Sequence, residues 1–109
     1  MTLPGIGALR HRVTIEAPVR TATEGGAAVE SWSQFATVFA SLTPAAGRER
    51  VVGDGIDADV SHVIRCRYRA GVTAAMRVNF GGRLFDIRAV IDEGERRRWL
   101  RLHCEERRA

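Results

Sequence analysis

Apolar and polar side chains alternate along most of this 109-residue chain. In Arg12-Val13-Thr14-Ile15-Glu16-Ala17, the residues Val13, Ile15 and Ala17 share one face, the period of a half-buried β-strand, and Pro18 marks its expected end. Residues 19–31 are small and polar around Gly25-Gly26 and read as a long hairpin-like connection. From Ser33 to Pro44, Val38, Ala40 and Leu42 fall on one face and Phe35, Thr37, Phe39 and Ser41 on the other. Both faces carry apolar groups, so this strand is expected to be covered on both sides. Val60 to Arg69 sets Ile64, Cys66 and Tyr68 against Arg65, Arg67 and Arg69, and Gly71 breaks the pattern. Met76 to Phe80 is a short strand, and Gly81-Gly82 is a tight hairpin signal before Phe85, Ile87, Ala89 and Ile91. After the acidic turn at residues 92–95, Trp99 to Glu105 supplies a sixth strand with Leu100, Leu102 and Cys104 inward.

This pattern predicts one all-β domain over residues 1–109, a small antiparallel β-barrel or sandwich of about six strands. Its core is assigned to Val13, Ile15, Val38, Ala40, Leu42, Ile64, Cys66, Tyr68, Phe85, Ile87, Leu100, Leu102 and Cys104. Pro4, Gly5 and Gly7 make residues 1–9 a flexible arm. Between the second and third strands, residues 45–60 break the alternation with Gly47, Gly53 and Gly55 and the acids Glu49, Asp54, Asp57 and Asp59. They read as a long projecting loop with at most a short helical turn.

Composition narrows the chemistry. All 17 basic residues are Arg, which excludes Schiff-base, P-loop and general-base roles that need Lys. Arg stays charged at every relevant pH, so it clamps carboxylates or phosphates but does not shuttle protons. Cys66 and Cys104 are too few for a disulfide scaffold and sit on apolar phases, as small buried hydrophobes. No pair among His11, His62, His103, Cys66 and Cys104 has zinc-like spacing, and no serine lies in a nucleophile elbow. No cofactor, metal or catalytic residue is expected. Residues 1–7 lack a basic region followed by an apolar run, and no stretch approaches the ~18 apolar residues of a membrane span, so a soluble protein of a reducing compartment is expected.

Charge is unevenly placed. Residues 61–91 carry six Arg against one Asp, and residues 96–109 six Arg against two Glu. The 48–60 segment is net −2, residues 92–95 net −3, and residues 1–47 balance. Basic strand faces beside acidic connections fit contact with phosphates, contact with an acidic protein ring, or simple solvation of an exposed face. A nucleic-acid barrel interleaves exposed aromatics with its basic residues; here most aromatics fall on core phases, and Trp99, on the face of Arg101 and His103, is the main exception. Complementary basic and acidic surfaces on one subunit also permit head-to-tail contacts that close into a ring.

The order of short motifs resembles the phage head–tail joining proteins, also called head-closure or stopper proteins, of tailed phages, prophages and gene transfer agents. The resemblance runs from Gly7-x-Leu9-Arg10-His11-Arg12-Val13-x-Ile15 through Gly25-Gly26, Trp32 and Val38-x-Ala40-x-Leu42-x-Pro44 to Gly47-Arg48-Glu49. It continues with Val63-Ile64-Arg65-x-Arg67, Gly71-Val72-Thr73, Met76-Arg77, Gly82-Arg83-x-Phe85-x-Ile87, Val90-x-Asp92 and Leu100-x-Leu102-x-Cys104-Glu105. Phe39 and Phe85 stand where such proteins often carry Trp and Tyr.

The resemblance implies a non-enzymatic structural protein of the virion or phage-like particle. Such a protein forms a ring, hexameric or dodecameric, below the portal and adaptor proteins. It closes the DNA channel after packaging and docks the tail terminator or other tail proteins. Packaged DNA would pass without sequence-specific contact, no membrane is involved, and assembly takes place in the bacterial cytoplasm. On this reading Arg48, Glu49, Arg50, Asp54, Asp57 and Asp59 form the channel or gating loop. Arg10, Arg12, Arg65, Arg67, Arg69, Arg96, Arg97 and Arg98 are candidates for subunit or adaptor contacts. A small nucleic-acid-binding barrel and another ring-forming tail component, such as a tail terminator, are the alternatives.

Overall fold

The computed structural model describes residues 9–53 and 56–107, with side chains outside the 46–59 segment. Its strands are β1 (His11–Ala22), β2 (Ala28–Gly53), β3 (Ile56–Arg67), β4 (Arg77–Phe80), β5 (Arg83–Asp92) and β6 (Trp99–Glu106). A single 3-10 turn at Glu93–Glu95 joins the last two. Every pairing is antiparallel, and the sheet closes on itself in the order β1-β2-β3-β6-β5-β4. The expected six-stranded antiparallel fold is therefore present as a closed ring of strands, which removes the free sheet edges of an open sandwich.

Closure is uneven. β3 and β6 share a register running from His62↔Cys104 to Arg67↔Trp99, whereas β4 meets β1 only at Thr14↔Asn79, Ile15↔Val78 and Glu16↔Arg77. The core is built from inward phases: Val13, Ile15, Ala40, Ile64, Cys66, Val78, Phe85, Ile87, Leu100, Leu102 and Cys104 are all buried. Val38, Leu42 and Tyr68 pack against them, so every residue assigned to the core from the alternation lies in it or on it. Val72, Met76, Phe80 and Val90 join from the edges.

Four expectations change. First, β1 does not stop at Pro18; it continues to Ala22, with Pro18 opposite Trp32. Proline's missing N–H is tolerated because β1 has lost β4 by this point and has β2 as its one neighbour. The connection read over residues 19–31 shrinks to a turn between Ala22 and Ala28. Thr23 closes it: its N–H and hydroxyl both donate to the Ala27 carbonyl, at 2.9 and 2.7 Å, and Gly26 takes φ 78°.

Second, residues 45–53 and 56–60, expected in a loop, are strand. β2 runs to Gly53 and pairs with β3 from Glu49↔Val60 to Gly53↔Ile56, beyond an irregularity between Pro44 and Glu49. Third, a bulge at Arg88 shifts the β5–β6 register from Ile87↔Cys104 to Ala89↔His103. The extra residue reverses the side-chain phase, so Val90 packs on the core where Ala89 and Ile91 were expected. A matching shift between Ile15 and Glu16 leaves Phe35 as the extra residue of β2. Fourth, the outer face of β2 is not covered: Phe39 is 59% and Phe35 37% exposed.

Candidate functional site

The outer arginines are the candidate functional groups, and the structure divides them into two sets. One set is engaged with carboxylates on neighbouring strands. Arg77 Nε donates to Glu16 at 2.7 Å and its guanidinium lies 4.1 Å from the Trp32 ring centroid. Arg83 holds Glu106 with two bonds of 2.8 and 3.0 Å, and Arg107 holds Asp86 with 2.7 and 3.2 Å. Arg88 reaches Glu105 at 2.9 Å, and Arg20 lies 3.6 Å from Glu30 in a looser pair. The hydrogen bonds from Arg83 to Glu106 and from Arg107 to Asp86 raise both guanidinium pKa values further, so neither loses its charge. Two of these pairs follow directly from register, since Arg77 is opposite Glu16 on β1 and Arg20 is opposite Glu30 on β2.

Arg65, expected at an interface, belongs to this set. Its guanidinium donates to Glu93 of the turn before β6, and both side chains are largely buried. Such a pair ties β3 to the β5–β6 turn and leaves little of Arg65 for a partner.

The other set faces solvent at one end of the barrel. Arg12, Arg67, Arg69, Arg96, Arg97 and Arg98 are exposed and form no ion pair among the described residues. Arg10 is exposed as well, and it has an interaction within the chain. Register brings several of them together: Arg12 is opposite Phe39 on β2, and Arg67 is opposite Trp99 on β6 with its guanidinium 5.5 Å from the ring centroid. The Tyr68 N–H donates to the Arg98 carbonyl at 2.9 Å, which sets the 96–98 turn beside the end of β3. That turn is tightly wound, with Gly94, Glu95 and Arg97 all at positive φ, and the Asp92 carboxylate accepts the Arg97 N–H at 3.0 Å. Between these groups, Leu9, Val38, Phe39 and Arg67 line a groove of about 460 Å³. The alternation did not single out Phe39 as a surface residue, because burial on both faces of β2 was expected.

The channel-segment candidates are less defined. Asp54 lies outside the described residues, as do the side chains of Arg48, Glu49, Arg50, Asp57 and Asp59; their backbone, Asp54 apart, belongs to the paired ends of β2 and β3.

Groups able to do chemistry are engaged in structure. Cys66 and Cys104 are buried and free, and burial pushes the Cys66 thiol up to about 11 and the Cys104 thiol higher still. Ser61 Oγ and His62 Nδ1 are 2.9 Å apart, but the Ser61 hydroxyl also accepts the Glu106 N–H at 2.7 Å and the His62 ring packs edge-on against Phe85. This contact fastens the ends of β3 and β6. Among the described residues no group of three or more His, Cys, Asp or Glu gathers as a metal site, and no helix is long and apolar enough to cross a membrane.

The fold has solved counterparts. A chain of the virion of a native gene transfer agent particle superposes with a TM-score of 0.66 at 21% identity, covering 92% of this chain and 96% of that one. The solution structure of protein SF1141 from Shigella flexneri 2a gives 0.71 at 26% identity, covering 94% and 96%. No curated protein matches the sequence. Over residues 5–107 the chain matches the phage head completion protein family. The match over residues 5–107, nearly the whole length of this closed six-stranded chain, places it in the phage head completion protein family.

Proposed function

We propose that this protein is a non-enzymatic ring subunit of the head–tail connector, which closes the portal channel after DNA packaging and docks the tail. The observation that carries the reading is the family match over residues 5–107. The superposition on a virion chain supports the fold expected of such a subunit. In this reading several copies form a hexameric or dodecameric ring between portal or adaptor proteins and tail proteins, assembled in the bacterial cytoplasm. The 48–59 segment, with Arg48, Glu49, Arg50, Asp54, Asp57 and Asp59, borders the channel. Its net negative charge disfavours tight binding of passing DNA. Arg10, Arg12, Arg67, Arg69 and Arg96 to Arg98 serve subunit or adaptor contacts, with Arg65 bracing them from within.

Deleting Gly53 to Asp59 tests the channel role. The shortened chain is expected to fold, losing only the strand signal of the removed end of β2 and β3 from its circular dichroism, while particles lose DNA or stay tailless. Normal particle yield and infectivity or transfer from the deletion strain would overturn it.

A second reading, a nucleic-acid-binding barrel, draws on the same exposed arginines. Against it, Arg67 covers the Trp99 ring, which leaves Phe39 as the one freely exposed aromatic of the patch for base stacking. Affinity for free DNA that falls steeply with salt would favour this second reading.

A further inference from the structure

Among the described residues the exposed large hydrophobics are Val19, Val29, Phe35 and Phe39. Phe35 packs beside Gly71, where a Cβ would come within 3.1 Å of its ring. The remaining three lie in two places. Val19 and Val29 are on the β1–β2 ribbon, and Phe39 stands in the groove with Leu9, Val38 and Arg67.

Beyond Glu16, β1 has lost β4, and β2 does not meet β3 until Ala40, so residues 17–22 and 28–33 pair only with each other. In this two-stranded ribbon Val19↔Ser31 and Thr21↔Val29 are opposed, and alternation sets all four on one face, the continuation of the face that carries Val13 and Ile15. Inside the barrel that face is the core; past its end the face is uncovered, with Val29 53% and Val19 39% exposed.

The ribbon and the groove lie at opposite ends of the same strands. Leu9 precedes β1 at the groove, and Ala22 ends β1 at the ribbon tip. Twelve residues of strand separate them, about 40 Å at ~3.4 Å each, in a molecule whose longest dimension is 53 Å. One chain cannot bring its own ribbon into its own groove. The charges also match: Glu24 at the ribbon tip and Arg12 and Arg67 at the groove form no ion pair among the described residues.

We infer that the β1–β2 ribbon of one copy docks by Val19, Val29 and Glu24 into the Leu9–Val38–Phe39–Arg67 groove of a second copy, beside Arg12. The contact is heterologous, so repetition closes a ring or extends a filament. Burial of Phe39 between two valines supplies the anchor, and Glu24 against the arginines sets orientation. The inference rests on the ring-forming part of the proposed function. It concerns the isolated chain, so its failure leaves channel closure and tail docking to the deletion experiment.

The test is disulfide crosslinking of full-length protein, in which the native cysteines are buried. One chain carries Thr21→Cys, opposite Val29, and another carries Thr37→Cys, two residues from Phe39 on its face. Mild oxidation of the mixture is expected to give the heterodimer in at least tenfold excess over either homodimer. A chain carrying both substitutions is expected to give a ladder of covalent multimers. Adding Phe39→Glu is expected to lower the yield at least tenfold, Phe39→Leu to keep most of it, and Glu24→Arg to lower it until Arg12→Glu is added. Circular dichroism confirms folding of each variant. Homodimers in statistical proportion, an intramolecular disulfide in the doubly substituted monomer, or a yield indifferent to Phe39→Glu would overturn the inference.

Discussion

At the residue scale, the two cysteines show how burial replaces reactivity. A thiolate is the reactive form, and removing it from water raises the pKa. Cys66 shifts from 9.0 to about 11, with burial outweighing the nearby Arg69 charge, and Cys104 is pushed beyond it by burial, with Asp86 and Cys66 adding to the effect. The sign for stability follows. Below pH 9 both states hold their thiol protons. Above it the unfolded chain releases them first, so the native state loses stability as pH rises from 9.0 toward about 11. The urea midpoint is expected to fall over that window, and less so in a Cys66→Ala, Cys104→Ala variant. An identical pH profile in that variant would contradict the assignment. The inward placement of both thiols was legible in the sequence, because each sits at an even step from Ile64 or Leu102 on an alternating strand.

At the scale of elements, the short β4 is the weakest part of the ring, with three register pairs to β1. Arg77 compensates: it bridges Glu16 across that seam and stacks on Trp32 at the base of the ribbon, so one side chain links β4, β1 and β2. Arg77→Ala is expected to cost about 1–2 kcal/mol in urea unfolding, through a partly buried charged hydrogen bond and a cation–π contact. It is also expected to speed hydrogen exchange at β4 amides while those of β3 and β6 hold. Uniform exchange across all strands would show that the seam does not open independently. None of this was readable in advance. Arg77 and Glu16 are 61 residues apart, and only the closure of the sheet makes them neighbours. The bulge at Arg88 was equally hidden, since an added residue changes phase without breaking the local run of apolar positions.

For the whole molecule, closure of the sheet by distant pairs has a kinetic consequence. β3 and β6 pair residues some forty apart, His62 with Cys104, and β1 closes on β4 across more than sixty. Each such contact requires loop closure before it contributes stability, so refolding is expected in the millisecond-to-second range. Stopped-flow fluorescence of Trp32 and Trp99 measures it, and microsecond refolding would contradict a barrel formed as one cooperative unit.

The division of labour between sequence and structure follows from distance along the chain. Alternation is a local property with a period of two, so the sequence by itself determined the presence of six strands, the assigned core residues from Val13 to Cys104 and the all-β class, but not how far β1, β2 and β3 extend or the phase of β5 after its bulge. Its ordered motifs also pointed to the family that the match over residues 5–107 bears out. Register is not local: it depends on which strands meet and where a bulge inserts a residue. Only the tertiary structure therefore decided that Arg65 turns to Glu93 while Arg12 and Arg67 stay free of carboxylates among the described residues. It also decided that β1 and β2 outrun the barrel. The same alternation that buries Val13 and Ile15 leaves Val19 and Val29 in water, because past Glu16 no third strand remains to cover them.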